Sequence, residues 1–200
     1  MDAIFLDIDG VLATPLSDRL NALLRRTPFD QLFDPAALWQ LRRLVRRTGA
    51  AVVLSSPWRA GLSIPDCRPL TDNLYARLAA NGTPICDATP MLSTGGKGSE
   101  IAAWLARHPC RRFVILDDHD CFADVPALRS RWVPVPSATG LRAAQARRAL
   151  QLLQGGPGGA PGPGLPGRRT VGLSNILYSE RFKESSKFFF RREPGKRAHR

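Results

Sequence analysis

The stretch 5-FLDIDGVL-12 sets two carboxylates, Asp7 and Asp9, one residue apart at the end of an apolar run. Like charges that close repel, and each is better solvated in water than at the end of a buried strand. The pairing makes chemical sense where a cation sits between the two. It also makes sense where one acid attacks as a nucleophile and the other carries protons.

Outward from this stretch the chain alternates in type. AIFLDI (3–8), AAVVLSS (50–56), TPICDA (83–88), RRFVILDD (111–118) and RWVPV (131–135) read as strands. Between them, DPAALWQLRRLVRRTG (34–49) reads as a helix capped by Asp34, with Pro35 at its first position and Gly49 after it. Leu38, Leu41 and Val45 fall on its inner face. TDNLYARLAANG (71–82) and GLRAAQARRALQLL (140–153) are further helices, as is KGSEIAAWLARH (97–108), with Ile101, Trp104, Leu105 and His108 on one side. Continuous apolar strands separated by amphipathic helices predict an α/β fold, a doubly wound, mostly parallel sheet with helices on both faces. Ligands of such sheets bind at the carboxyl ends of the strands.

Those ends carry distinct chemistry. The first strand ends in Asp7 and Asp9, the second in Ser55 and Ser56, and the fourth in Asp117 and Asp118, with Asp120 two residues on. Lys97 opens a helix at Gly-Gly-Lys-Gly and is the single lysine among the nineteen basic residues of segment 1–154. A chain that otherwise chooses arginine uses a compact ammonium here. Taken singly, each feature has a plain structural reading. Asp-x-Asp-Gly is common in turns, where Gly10 supplies positive φ, Ser-Ser caps helices, and a lysine at a helix start is usually a solvated charge.

Taken together and in this order, DIDGV, Ser55, Lys97 and DDHD resemble the four motifs of the haloacid dehalogenase (HAD) phosphohydrolase superfamily, over about residues 3 to 154. The resemblance implies a Mg²⁺-dependent phosphomonoester hydrolase working through an aspartyl-phosphate. It assigns Asp7 as nucleophile, Asp9 as general acid and base, and Ser55 as a phosphoryl hydrogen-bond donor. Ser56, Arg59 and Gly10 become substrate-binding residues, and Lys97 neutralises charge and anchors Asp7 and Asp117. The implied Mg²⁺ ligands are Asp7, the Asp9 carbonyl and Asp118, with Asp117 beside them and Asp120 reached through water; an all-oxygen set suits this ion.

Spacing bears on the substrate. Forty-five residues separate Asp9 from Ser55 and forty-one separate Ser55 from Lys97. After the core helices are placed, only 13–33 and 57–70 remain, too little for a cap domain. An open site suits a large phosphorylated substrate such as a nucleic-acid end. FLDIDGVL, LSSPWR, GGKGSEIAAWL, VILDD and ATGL are also similar to HAD domains of bacterial RNA-repair systems. LSSPWR equally resembles the Thr-Ser-Pro of 5′(3′)-deoxyribonucleotidases, with Trp58 and Arg59 either holding a nucleotide or simply packing. A different class of reading is a non-catalytic nucleic-acid-binding module.

Charge and composition divide the chain. The 200 residues carry a net charge of +12, of which +7 falls in 155–200. GGPGGAPGPGLPG (155–167) predicts a linker, and 168–200 a basic, disordered tail or a basic-aromatic arm for nucleic acid. The phosphohydrolase domain is thereby expected over 1–154. No apolar run approaches the roughly 18 residues of a membrane span and no leader pattern precedes Asp2, so a cytoplasmic protein is expected, with oligomeric state open. Four scattered cysteines without a C-x-x-C pair argue for reduced thiols rather than zinc.

Overall fold

The computed structural model describes residues 1–155. Apart from Gly155, the expected linker and basic tail lie outside the described residues.

Strand β1 (Asp2–Leu6) is the centre of a five-stranded sheet in the order β3-β2-β1-β4-β5, with β2 (Ala51–Leu54), β3 (Ile85–Ala88), β4 (Arg112–Asp117) and β5 (Trp132–Pro134). Every pairing is parallel. The chain steps outward from β1 through β2 to β3, then returns across the sheet to β4. This reversal of strand order beside β1 is where ligands enter such folds.

Side chains of β1 alternate between two cores. Ile4 and Leu6 join Val52, Leu54, Val114 and Leu116 beneath helices α2 (Pro35–Thr48), α3 (Arg68–Ala80) and α5 (Ala143–Gln154). Ala3 and Phe5 face the other way, onto Ile101 and Trp104 of α4 (Lys97–Leu105), with Phe122 and Leu128. Phe5 meets Trp104 edge-to-face at 5.3 Å. Burial on both faces explains why these strands are continuously apolar.

The elements depart from the sequence reading in several places, among them α4, which ends at Leu105, and α5, which starts at Ala143. Helix α2 buries Ala37, Gln40, Leu41 and Leu44, while Leu38 and Val45 only flank the core. Helix α3 begins at Arg68 rather than Thr71, because Pro69 in its first turn needs no hydrogen-bond partner. Segment 13–33 contains an unforeseen helix, α1 (Pro15–Leu23), started by a capping box between Thr14 and Ser17. Segment 57–70 holds 3₁₀ turns at Pro57–Leu62 and Pro65–Cys67 before α3. Neither segment builds a cap domain. Among the described residues no helix is long and apolar enough to cross a membrane.

Candidate active site

Backbone bonds carry the sheet past its formal strand ends to the residues that matter. The Asp7 amide donates to Leu116 O at 3.0 Å, and the Ser55 amide to Leu6 O at 3.0 Å. Asp7, Ser55 and Asp117 therefore lie side by side on three adjacent strands.

The turn after β1 is built on one acceptor. The amides of Val11, Leu12 and Ala13 all point at Ile8 O, and Gly10 donates to Ala13 O. Gly10 sits at φ 71°, and a Cβ there would stand 2.3 Å from Asp118 Oδ2. The glycine both makes the turn and lets the Asp118 carboxylate press against the loop that carries Asp7 and Asp9.

Lys97 occupies the centre of the acids. Its Nζ lies 3.1 Å from Asp7 Oδ1 and 2.5 Å from Asp117 Oδ2, and all three residues are nearly buried. Burial alone would lower the Lys97 pKa, but the charges of Asp7 and Asp117 raise it above the ordinary lysine range. Burial, with the Asp7 charge, pushes the Asp117 carboxyl up to about 6 against the pull of Lys97. Asp9 is pushed up to about 7 by burial and by Asp7, although its hydrogen bond from Trp58 opposes the shift. Trp58 Nε1 makes that bond to Asp9 Oδ2 at 3.1 Å.

Ser55 and Ser56 are fully buried, and neither hydroxyl has a hydrogen-bond partner among the described residues. Two unpartnered buried hydroxyls at the end of β2 are costly unless a ligand oxygen receives them.

Several expected roles are not met. Arg59 was expected to hold a phosphate, but it is buried, ion-paired with buried Glu100, and donates from Nη1 to Ser56 O at 2.7 Å. It fastens the Ser55-Ser56 loop to α4 instead of meeting substrate. Trp58 packs on Phe33 at 5.5 Å and offers no face for a base. Asp120 turns outward to Arg129, with Nε to Oδ2 at 2.8 Å, and is not one of the clustered candidate ligands among the described residues. Both Asp117 oxygens are engaged, one by Lys97 and the other by the His119 amide at 3.0 Å. Asp118 Oδ1 pairs with His119 Nδ1 at 2.6 Å, and Asp117, Asp118 and His119 place one ligand atom each within 4.8 Å of one another.

Asp124 is the residue that sequence reasoning missed. Helix α4 starts at Gly96, which has no side chain to cap it. Asp124 supplies the cap from the loop after β4, accepting from the Gly96 amide at 2.8 Å, the Ser99 amide at 2.9 Å and Ser99 Oγ at 2.6 Å. A Cβ on Gly98 would stand 2.4 Å from Asp124 Oδ1, so the glycines around Lys97 make room for this carboxylate. A helix start spelled with glycines, and an acid left over downstream, was the available signal. The Cys121 thiol is 3.7 Å from Asp117 Oδ2, and burial and that charge push it up to about 12, so it stays protonated. All four cysteines are free.

No curated protein matches the chain. The model of one family does, over residues 3–146, a span that includes all the acids above together with Ser55, Ser56 and Lys97. With its parallel sheet, its acids at the ends of β1 and β4 and its buried lysine, the chain belongs to that family, the HAD domains in Swiss Army Knife RNA repair proteins.

Proposed function

We propose that the protein is a Mg²⁺-dependent phosphomonoester hydrolase with an open site for a large substrate such as a phosphorylated nucleic-acid end. The observation that carries the reading is the buried Lys97 ammonium held jointly by Asp7 and Asp117 beside a third acid, Asp9, anchored by Trp58. Purely structural needs would not gather two carboxylates on one buried cation with a third close by.

Asp7 attacks phosphorus through a carboxylate oxygen, and the bond from phosphorus to the leaving oxygen breaks. Asp9, whose pKa lies near neutrality, gives its proton to that oxygen. The resulting Asp9 carboxylate then takes a proton from water as the water attacks the aspartyl-phosphate, which frees inorganic phosphate and restores Asp7. Lys97 offsets charge on the phosphoryl oxygens, and the Ser55 and Ser56 hydroxyls donate to them.

The donor set fits Mg²⁺: oxygen only, crowded with like charge, and shaped by the close approach of Asp118 to Gly10. Asp7, the Asp9 carbonyl and Asp118 would hold it, with Asp117 reserved for Lys97. Bound there, the ion would supply positive charge against the phosphoryl group and among the acids. The RNA-repair setting of the family, and the lack of a cap domain among the described residues, favour a nucleic-acid end over a free nucleotide. The buried Trp58 and Arg59 leave the nucleotidase reading without its base-binding pair.

Hydrolysis of p-nitrophenyl phosphate with and without Mg²⁺ tests the reaction. Metal-dependent release that falls at least 10³-fold in Asp7→Asn is expected. A folded protein that is inactive on this compound and on 3′- and 5′-phosphorylated oligonucleotides would instead make it a binding module.

A further inference from the structure

Helices α2 and α5 present positive charge that the fold does not use. Arg42, Arg43, Arg46 and Arg47 lie on α2, Arg147 and Arg148 on α5, and neither helix contains an acid. All six side chains are exposed, and none makes an ion pair among the described residues. Arg43, Arg47 and Arg147 converge on one shallow groove between the two helices. Trp39, 55% exposed, stands one turn before them, with the Arg43 guanidinium 5.5 Å from its ring centroid.

Folding gives no account of this arrangement. Arg42 with Arg46, and Arg43 with Arg47, are like charges four residues apart, a spacing that destabilises a helix. Arg46 and Arg47 gain from the carbonyl end of the helix dipole, but Arg42, Arg43 and Trp39 lie too far from that end. The buried face of α2 runs through Ala37, Gln40, Leu41 and Leu44, so Trp39 serves no core.

The two helices carrying this face start beside the site. The Asp34 amide, at the start of α2, donates to Leu12 O at 2.8 Å, and its carboxylate accepts from Thr14 and from Arg142 at the start of α5. The Leu141 amide donates to Val11 O at 3.0 Å. Both helices thus begin beneath the loop carrying Asp7 and Asp9, and the stripe from Trp39 to Arg47 lies about 7 to 20 Å along α2 from that start, at about 1.5 Å per residue.

We infer that Trp39 and these six arginines bind the backbone of a single-stranded polynucleotide whose phosphorylated end lies at Asp7. The identity of that end rests on the hydrolase reading above; the binding surface does not. Arginine forks match phosphates, and an exposed indole offers a stacking face to an unpaired base. Segment 156–200, at +7, is a poor electrostatic match for this face.

The test uses the full-length chain carrying Asp7→Asn, so that bound substrate is not consumed. The probe is a fluorescein-labelled 12-nucleotide oligoribonucleotide with a 3′ or 5′ phosphate, read by anisotropy at several salt concentrations. Adding Arg42→Gln, Arg43→Gln, Arg46→Gln and Arg47→Gln together should weaken binding at least tenfold. The slope of log affinity against log salt should become shallower by about 2 to 3, at about 0.7 per phosphate contact. Trp39→Ala should cost about fivefold or more, with Trp39→Phe recovering part of it. With Asp7 intact, the fourfold variant should hydrolyse p-nitrophenyl phosphate within twofold of the unaltered chain. Unchanged affinity and slope overturn the inference. So does polyglutamate competing as well as unlabelled oligonucleotide at equal charge, which would assign the face to acidic proteins. If the fourfold variant misfolds, Arg147→Gln with Arg148→Gln decides the matter by a slope change of about 1. Binding that is lost in these variants from a chain with no phosphatase activity upholds the surface and refutes the hydrolase reading.

Discussion

Lys97 is where charge and shape can be separated experimentally. Its compact ammonium bridges Asp7 and Asp117 as a point charge, a geometry that a planar fork does not reproduce. Lys97→Arg keeps the charge, yet should reduce kcat on p-nitrophenyl phosphate by about 10²-fold or more, the scale of losing a preorganised electrostatic group. Near-normal turnover would remove Lys97 from the site. Asp9 gives a stability prediction. Its carboxyl ionises near pH 7 in the folded chain but at 3.8 when unperturbed, so between those values the folded state holds a proton that the unfolded state has lost. Stability from this group is therefore full below about pH 4 and declines as pH rises through 7. At about 1.4 kcal/mol per pKa unit, the burden at pH 8 has an upper bound of about 4 kcal/mol. In metal-free protein, Asp9→Asn should raise Tm by several degrees at pH 8, and the gain should shrink toward pH 5, as followed by calorimetry. A pH-independent difference would mean Asp9 is not a raised acid. At this scale the sequence was legible where a residue type was chemically odd. The lone lysine and the paired aspartates do meet, but Arg59 and Asp120 do not join them. Adjacency in a turn does not tell which way a side chain leaves the backbone.

Ties between elements were harder to read, because their partners are far apart in the chain. Arg59, from the turn after β2, and Glu100, from α4, are forty-one residues apart and form a buried pair. Asp124 reaches back twenty-eight residues to cap the same helix at Gly96. Both fix α4, and so Lys97, against the loops carrying Ser55, Ser56 and Asp118. Breaking the buried pair leaves a charge without its counterion. Arg59→Ala should destabilise the domain by about 3 to 5 kcal/mol, seen as a lower denaturation midpoint. Arg59→Met with Glu100→Leu should recover most of that loss; a single variant as stable as the parent would show the pair to be dispensable. The central strands were legible because both faces of the sheet are covered there, which makes β1, β2 and β4 apolar runs. Helix α1 was not, because its buried positions are polar, Ser17 and Asn21, while its leucines Leu16 and Leu23 are exposed. Asn21 instead holds the backbone of Leu32, donating to its carbonyl at 2.9 Å and accepting from its amide at 2.7 Å.

For the whole molecule, the question is how much of the chain the chemistry needs. The last core residues on α5 are Ala149 and Leu153, and Gly155 ends that helix at φ 77° with its amide on Gln151 O. Among the described residues the core closes at this cap, and we expect a chain ending at Gly155 to fold alone. We expect its Tm to stay within about 2 °C of the full chain, and its turnover of p-nitrophenyl phosphate within twofold. Ending at Gly155 rather than earlier matters, because the left-handed cap closes the last turn of α5. Oligonucleotide binding then separates two sources of charge. Segment 156–200 contributes +7, and the six arginines of α2 and α5 remain after truncation. A salt slope that keeps most of its steepness without the tail, and loses it on substitution of the α2 arginines, places the contacts on the folded domain. Collapse of the slope on truncation alone would place them on the tail. A truncated chain that is unfolded, or inactive on the small substrate while the full chain is active, would show that the domain extends past Gly155.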